Sequence, residues 1–107
     1  MTVHVTHSKP KQQVVEILDQ PLSVLFAGAV DGLEIVDERR TWTDTTMAFS
    51  FTGRVGFISI PLSGAMDVQE TLVVVDVELP PMVKMFIGEE KVRAGLEKEI
   101  LTLMARD

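Results

Sequence analysis

The chain has 107 residues, 46% of them apolar and 24% charged, which is typical of one soluble globular domain spanning residues 1–107 and excludes a disordered chain. Sixteen acidic residues against ten basic ones give a net charge of −6, which disfavours nucleic acid as a partner and direct adsorption to anionic lipid. The absence of cysteine excludes disulfides, thiol nucleophiles and thiolate metal sites.

The first residues, "MTVHVTHSKPKQQ", contain no apolar segment of the kind found in a signal peptide. No stretch of the sequence reaches the roughly 18 apolar residues that a membrane-spanning helix needs. We therefore expect a cytoplasmic protein without a membrane span.

The N-terminal third predicts one strand and two helical stretches. Residues 2–6 alternate apolar and polar side chains, as a short strand does. A helix is expected over residues 10–20, and Pro21 predicts a kink or a break in it, because proline removes a helical hydrogen bond and clashes with the preceding turn. A second helical stretch is expected over 22–30, ended by a turn at Asp31–Gly32.

The middle of the chain predicts four consecutive strands. They cover residues 33–42, 46–52, 55–62 and 70–79, with turns at 43–45, 53–54 and 63–67. The alternation is clearest in 46–52 and 70–79, where every second residue is apolar. Pro61 cannot donate to a strand ladder, so we expect it at an edge or a bulge. Such short connections imply an antiparallel meander.

Two consecutive prolines, Pro80 and Pro81, separate the last strand from a C-terminal helix that we expect to run to about residue 105. At helical spacing this segment presents two adjacent apolar stripes. The first comprises Val83, Phe86, Ile87, Ala94, Leu101 and Met104. The second comprises Met82, Met85, Val92, Leu96, Ile100 and Leu103. Together they form an apolar arc wider than one contact with a sheet requires.

The predicted order of elements is therefore β-α-β-β-β-β-α. This is an α+β fold with a curved antiparallel sheet of about five strands and a long C-terminal helix packed on one face. The arrangement resembles a reduced helix-grip fold.

The sequence offers no catalytic constellation and no metal site. His4 and His7 are the only histidines and lie three residues apart at a strand end, so they are expected to point to opposite faces. No serine lies in a nucleophile-elbow context, and "GAVDG" lacks the Gly-Lys-Ser/Thr ending of a phosphate loop. We predict no cofactor.

Carboxylates are numerous in the strands, and Asp37, Glu38, Asp76 and Glu78 could gather on one exposed sheet face near Arg39 and Arg40. A small enzyme using this acidic face for general acid–base chemistry is conceivable. A solvated face with cross-strand ion pairs explains the same pattern without any activity.

The stretch "VELPPMVKMF" (77–86) allows three interpretations: a membrane-inserting wedge, the lining of a ligand pocket, or a strand-to-helix joint. A binding role would involve a hydrophobic ligand between helix and sheet, or contact of the helix start with a hydrophobic surface. The candidate ligand-binding residues are Met82, Met85 and Phe86 of this stretch together with Trp42 and Phe49. The second stripe, through Val92, Leu96, Ile100 and Leu103, could instead serve self-association as a homodimer.

Four segments in this order and spacing resemble the polyhydroxyalkanoic acid system proteins, small bacterial proteins encoded near polyester storage-granule genes. The segments are "VHVTHS", "TWTDTTMAFSFTGRVGFISI", "VVVDVELPPMVKMF" and "LEKEILTLM". Pro21 and the apolar "LSVLFAGAV" depart from the first helix of that family. The resemblance implies a cytoplasmic, non-enzymatic protein linked to hydroxyalkanoate polymer, and it supplies no catalytic residues.

Overall fold

The computed structural model describes residues 1–29 and 31–106. Its elements are β1 (Thr2–Thr6), α1 (Lys11–Leu18), α2 (Leu22–Leu25), β2 (Glu34–Thr43), β3 (Thr46–Val55), β4 (Ile58–Val68), β5 (Leu72–Glu78), α3 (Pro81–Phe86) and α4 (Glu89–Ala105). The α+β class and the predicted order of elements are confirmed. The first helical region is divided near Pro21, as predicted, and the C-terminal region is also divided into two helices.

The five strands form one open sheet in the order β1-β5-β4-β3-β2, with every neighbouring pair antiparallel. Strands β2 to β5 follow one another as a meander, as their short connections predict. β1 adds beside β5 at the opposite edge, with Val3 opposite Val75. The N-terminal strand thus completes the sheet from the far end of the sequence.

One face of the sheet is buried under the helices, and we call it the inner face. It is formed by alternate residues of each strand, among them Val3, Val5, Met47, Phe49, Phe51, Ile60, Met66, Val68, Val73, Val75 and Val77. These residues cluster with buried side chains of α1, α2 and α4. The alternate residues that lie between them form the outer face, which none of the helices in residues 1–29 and 31–106 covers.

The second apolar stripe of the C-terminal region is part of this core. Val92, Leu96, Ile100 and Leu103 are all buried within the single chain. The stripe is therefore not available for the self-association considered above. The arc is wide because α4 contacts the sheet on one side and α1 and α2 on the other.

Both helical breaks have a local backbone cause. Pro21 ends the α1 region and precedes α2, which extends only to Leu25 before the chain turns; Val30 of the predicted stretch lies outside the described residues. Gly88 has a φ of +92°, a left-handed conformation that ends α3 and separates it from α4. The prediction of one continuous helix after Pro81 was therefore wrong.

Two predicted turns were also wrong. Residues 53–54 lie inside β3, and the chain reverses three residues later, at Gly56 and Phe57. Residues 63–67 lie inside β4, which is 11 residues long. Pro61 is correctly predicted at an edge, because the ladder between β4 and β5 begins only at Ser63.

Candidate functional site

A two-residue hairpin between β3 and β4 projects an aromatic side chain into solvent. Val55 pairs with Ile58 across the hairpin, and Gly56 has a φ of +60° at the first central position, as a type II′ turn requires. Phe57 follows at the tip and is fully exposed, with a relative accessibility of 107%. Ile58, at the start of β4, is 40% exposed.

The short helix α3 presents two methionines to solvent at the same end of the molecule. Pro81 occupies its first turn, where the missing N–H needs no partner. Val83 is buried and holds the helix on the sheet. Met82 and Met85, one residue before and two residues after Val83, therefore point away from the sheet. Met82 is 43% exposed and Met85 is 78% exposed.

The hairpin and α3 are neighbours because their inner residues enclose a common void. Val55 and Ile60 of the hairpin line it together with Val83 and Ile87 of the α3 region. We call the exposed side chains around it, Phe57, Ile58, Met82 and Met85, the apolar end. Exposed apolar side chains that gather at one place on a small protein are typical of a contact surface.

The void beneath the apolar end measures about 20 Å³, and its lining is entirely apolar. A space of this size holds about one water molecule and no ligand of several carbon atoms. The interior between helix and sheet is therefore filled by the protein's own side chains in this conformation. A contact at this end must be made with the outside of the molecule.

The structure distributes the five sequence-predicted ligand-binding residues over three regions. Met82 and Met85 lie together on the apolar end, and the side chain of Phe86 lies outside the described part of the structure. Phe49 is a core residue, 5% exposed, with its ring centroid 5.8 Å from that of Phe26.

Trp42 belongs to the opposite end of the sheet. It pairs with Met47, which lies eight residues before Val55, or about 27 Å along β3 at strand spacing. Its indole Nε1–H donates a hydrogen bond of 3.1 Å to Asp19 Oδ1 after α1. This contact gives Trp42 a structural role in holding α1 against the edge strand.

The acidic residues considered for acid–base chemistry are divided between the two faces. A bulge in β2, with a φ of +54° at Asp37, carries Glu38 to the inner face beside Arg40. The Arg40 guanidinium binds Glu38 Oε2 at 2.8 Å and Asp19 Oδ1 at 2.9 Å. Glu38 also accepts a bond from the backbone N–H of Leu22, so this group fastens α2 to β2.

Sequence reasoning missed Phe57 and Ile58. The turn was expected at Gly53, which placed both residues inside a strand, whereas Gly53 is buried and a Cβ there would lie 2.9 Å from Leu33 Cδ1. The available signal was the pair Gly56–Phe57, since glycine at the first central position is typical of two-residue hairpins.

Within residues 1–29 and 31–106, no group of three or more His, Asp or Glu side chains is arranged to hold a metal ion. None of the helices described there combines the length and the apolar character that crossing a bilayer demands. Comparison of the chain with protein-family models, with curated proteins and with solved structures finds no match. The functional interpretation therefore depends on the geometry of the exposed surfaces.

Proposed function

We propose that this protein is a non-enzymatic accessory protein of the cytoplasm that binds a hydrophobic surface through its apolar end. The polyester granule implied by the sequence resemblance is the surface we assign to it. The observation that supports the proposal is the complete exposure of Phe57 at the tip of a hairpin that shares a void with α3, the helix on which Met85 is exposed.

The exposure of these side chains favours contact with an extended surface over capture of a single small molecule. The void beneath them is too small for an acyl chain, whereas the tip and the helix both project outward. Fully burying a Phe or Met side chain stabilises a complex by about 1.5–3 kcal/mol. Two or three such side chains entering a polymer surface give useful affinity without a cavity.

Replacing both methionines tests the proposal. Met82→Glu with Met85→Glu places two charges where apolar contact is expected, so co-sedimentation with polyhydroxyalkanoate particles should weaken at least tenfold, since 1.4 kcal/mol corresponds to a factor of ten. Phe57→Ser should produce a loss of similar size. Binding is measured as the fraction of protein pelleted with particles over a range of particle concentrations.

Leu101→Glu is the matched control. Leu101 lies on α4 and is 47% exposed, close to the value for Met82, but it lines a separate surface patch formed by α4 residues such as Lys98. It should pellet like the unmodified protein. Unchanged co-sedimentation of the double methionine variant and of Phe57→Ser, with both still folded by circular dichroism, would refute the proposal.

A further inference from the structure

The outer face of the sheet contains a second surface feature, an open groove formed by two adjoining clefts. The larger cleft has a volume of about 560 Å³ and the smaller about 320 Å³, and both are lined by Ser63 and Glu78. We call the combined feature the outer-face groove. Its remaining lining residues include Asp37, Ser50, Thr52, Pro61, Gly64, Ala65, Asp76, Leu79 and Pro80.

The floor of the groove is low because small side chains follow one another across the sheet. Ser50 of β3 lies opposite Ser63 of β4, and Ser63 lies opposite Glu78 of β5. Ala65 continues the floor one step further, opposite Asp76. Longer side chains on either side of this floor, Asp76 and Glu78 on β5 and Asp37 at the β2 bulge, form the walls.

The groove is negatively charged. Three carboxylates line it, and the only cation among its lining residues in the described part of the chain is the N-terminal ammonium of Met1, which is already paired with Glu89 Oε1 at 3.7 Å. Asp76 accepts a hydrogen bond of 2.6 Å from the Thr2 hydroxyl, and Glu78 accepts one of 3.4 Å from the Ser63 hydroxyl. Both contacts are with neutral donors, so the negative charge of the groove is retained.

Two arginines stand on this face, Arg39 opposite Ser50 and Arg54 opposite Ser59. Both lie outside the lining of the two clefts. The overall charge of −6 adds to the attraction that the groove exerts on a cation. The complementary partner is therefore basic.

We propose that the outer-face groove binds a basic segment of a partner protein, with lysine or arginine side chains directed to Asp37, Asp76 and Glu78. The groove is open along its length, as a chain lying across a surface requires, whereas small-molecule sites enclose most of their ligand. The low floor admits the backbone of such a segment. Leu79, Pro61 and Pro80 offer apolar contacts to the methylene stems of its basic side chains.

The test is a fluorescence anisotropy titration with a labelled heptapeptide in which alanine alternates with lysine and arginine. The peptide should bind, and its affinity should fall as salt is added. Neutralising the groove with Asp37→Asn, Asp76→Asn and Glu78→Gln together should raise Kd at least tenfold. NMR shifts of backbone amides in β3, β4 and β5 should locate the peptide on the outer face.

A matched control variant neutralises three exposed carboxylates elsewhere, Glu16→Gln, Glu70→Gln and Glu97→Gln. It changes the net charge by the same amount and should retain the peptide affinity of the unmodified protein. An equal loss in both variants, or no binding at all, would overturn the proposal. Binding of spermidine as tight as that of the peptide would overturn it too, because the groove would then be a site for small cations.

If the triple variant does not fold, Glu78→Gln alone answers the question, because its hydrogen bond to Ser63 is long and contributes little to stability. This single variant should still raise Kd several-fold. Unchanged affinity in a folded Glu78→Gln protein would contradict the assignment of that wall.

Discussion

The Asp67 side chain links the end of β4 to the start of β3 by a hydrogen bond. Its carboxylate accepts a hydrogen bond of 3.0 Å from the Gln69 side-chain amide and one of 2.9 Å from the Thr46 hydroxyl. These donors, Gln69 first, hold the pKa of Asp67 below its ordinary value of 3.8, against the opposing effect of burial. The charged form of Asp67 therefore stabilises the folded protein.

The lowered pKa predicts a specific pH dependence for Asp67→Asn. A folded-state pKa below the unfolded value contributes stability above about pH 3.8, and this stability is lost as the pH falls through the folded pKa. The variant should be less stable than the unmodified protein at pH 7, and the difference should narrow in acid. Urea unfolding at pH 7 and at several values below 3.8 measures it. A difference that is constant over this range would contradict the prediction.

At the scale of single elements, the alternation and the prolines were sufficient to predict the strands and their order. The turn positions were not predictable in the same way, because they depend on contacts from distant parts of the chain. A Cβ at Gly64 would lie 2.1 Å from the carbonyl oxygen of Asp76 and 2.9 Å from the Phe49 ring. Glycine is thus needed at position 64 inside β4 because neighbouring atoms leave no room for a Cβ, although a glycine in the sequence suggests a turn.

Of the apolar end, the sequence predicted Met82 and Met85 but missed Phe57 and Ile58. Met82 and Met85 follow a double proline, a signal that marks the start of a helix in the sequence itself. The position of Phe57 at the tip depends on the register of β3 on β4, which pairs Val55 with Ile58 and makes Gly56 rather than Gly53 the turn glycine. The spacing of the apolar residues likewise could not predict the break between α3 and α4, or that α1 and α2 cover the second stripe.

Gly95 of α4 packs against Gly28 in the turn after α2, and alanine substitutions at these two glycines should have different effects on stability. A Cβ at Gly95 would lie 2.4 Å from the carbonyl oxygen of Gly28 and 2.7 Å from Ala29 Cα, both rigid backbone atoms. Gly95→Ala should destabilise the protein by roughly 1–3 kcal/mol, because this overpacking exceeds the gain of at most about 1 kcal/mol in helix propensity.

Gly28→Ala is the control for that prediction. A Cβ at Gly28 would meet Gly95 no closer than 3.7 Å, which is ordinary contact. Gly28→Ala should therefore leave the urea midpoint almost unchanged, while Gly95→Ala lowers it. Equal midpoints for the two variants would show that α4 moves away from the turn without appreciable cost.

On the scale of the whole molecule, the two proposed surfaces are made from different parts of the sheet. The apolar end uses the hairpin tip and α3, whereas the outer-face groove uses the polar residues of β3, β4 and β5. The two surfaces adjoin at Leu79, which lines both the groove and the void beneath the apolar end. The net charge of −6 agrees in sign with the acidic lining of the groove, but it gives no information about the apolar end.

The oligomeric state tests whether the apolar end is used for a surface or for a second copy. Because Val92, Leu96, Ile100 and Leu103 are buried within one chain, a homodimer would have to use exposed apolar side chains such as those of the apolar end. We expect light scattering to give the monomer mass of 11.9 kDa at high concentration. Phe57→Ser with Met85→Glu should leave this mass unchanged. A dimer that these two substitutions convert to monomer would assign the apolar end to self-association, and granule binding would then require the dimer to open.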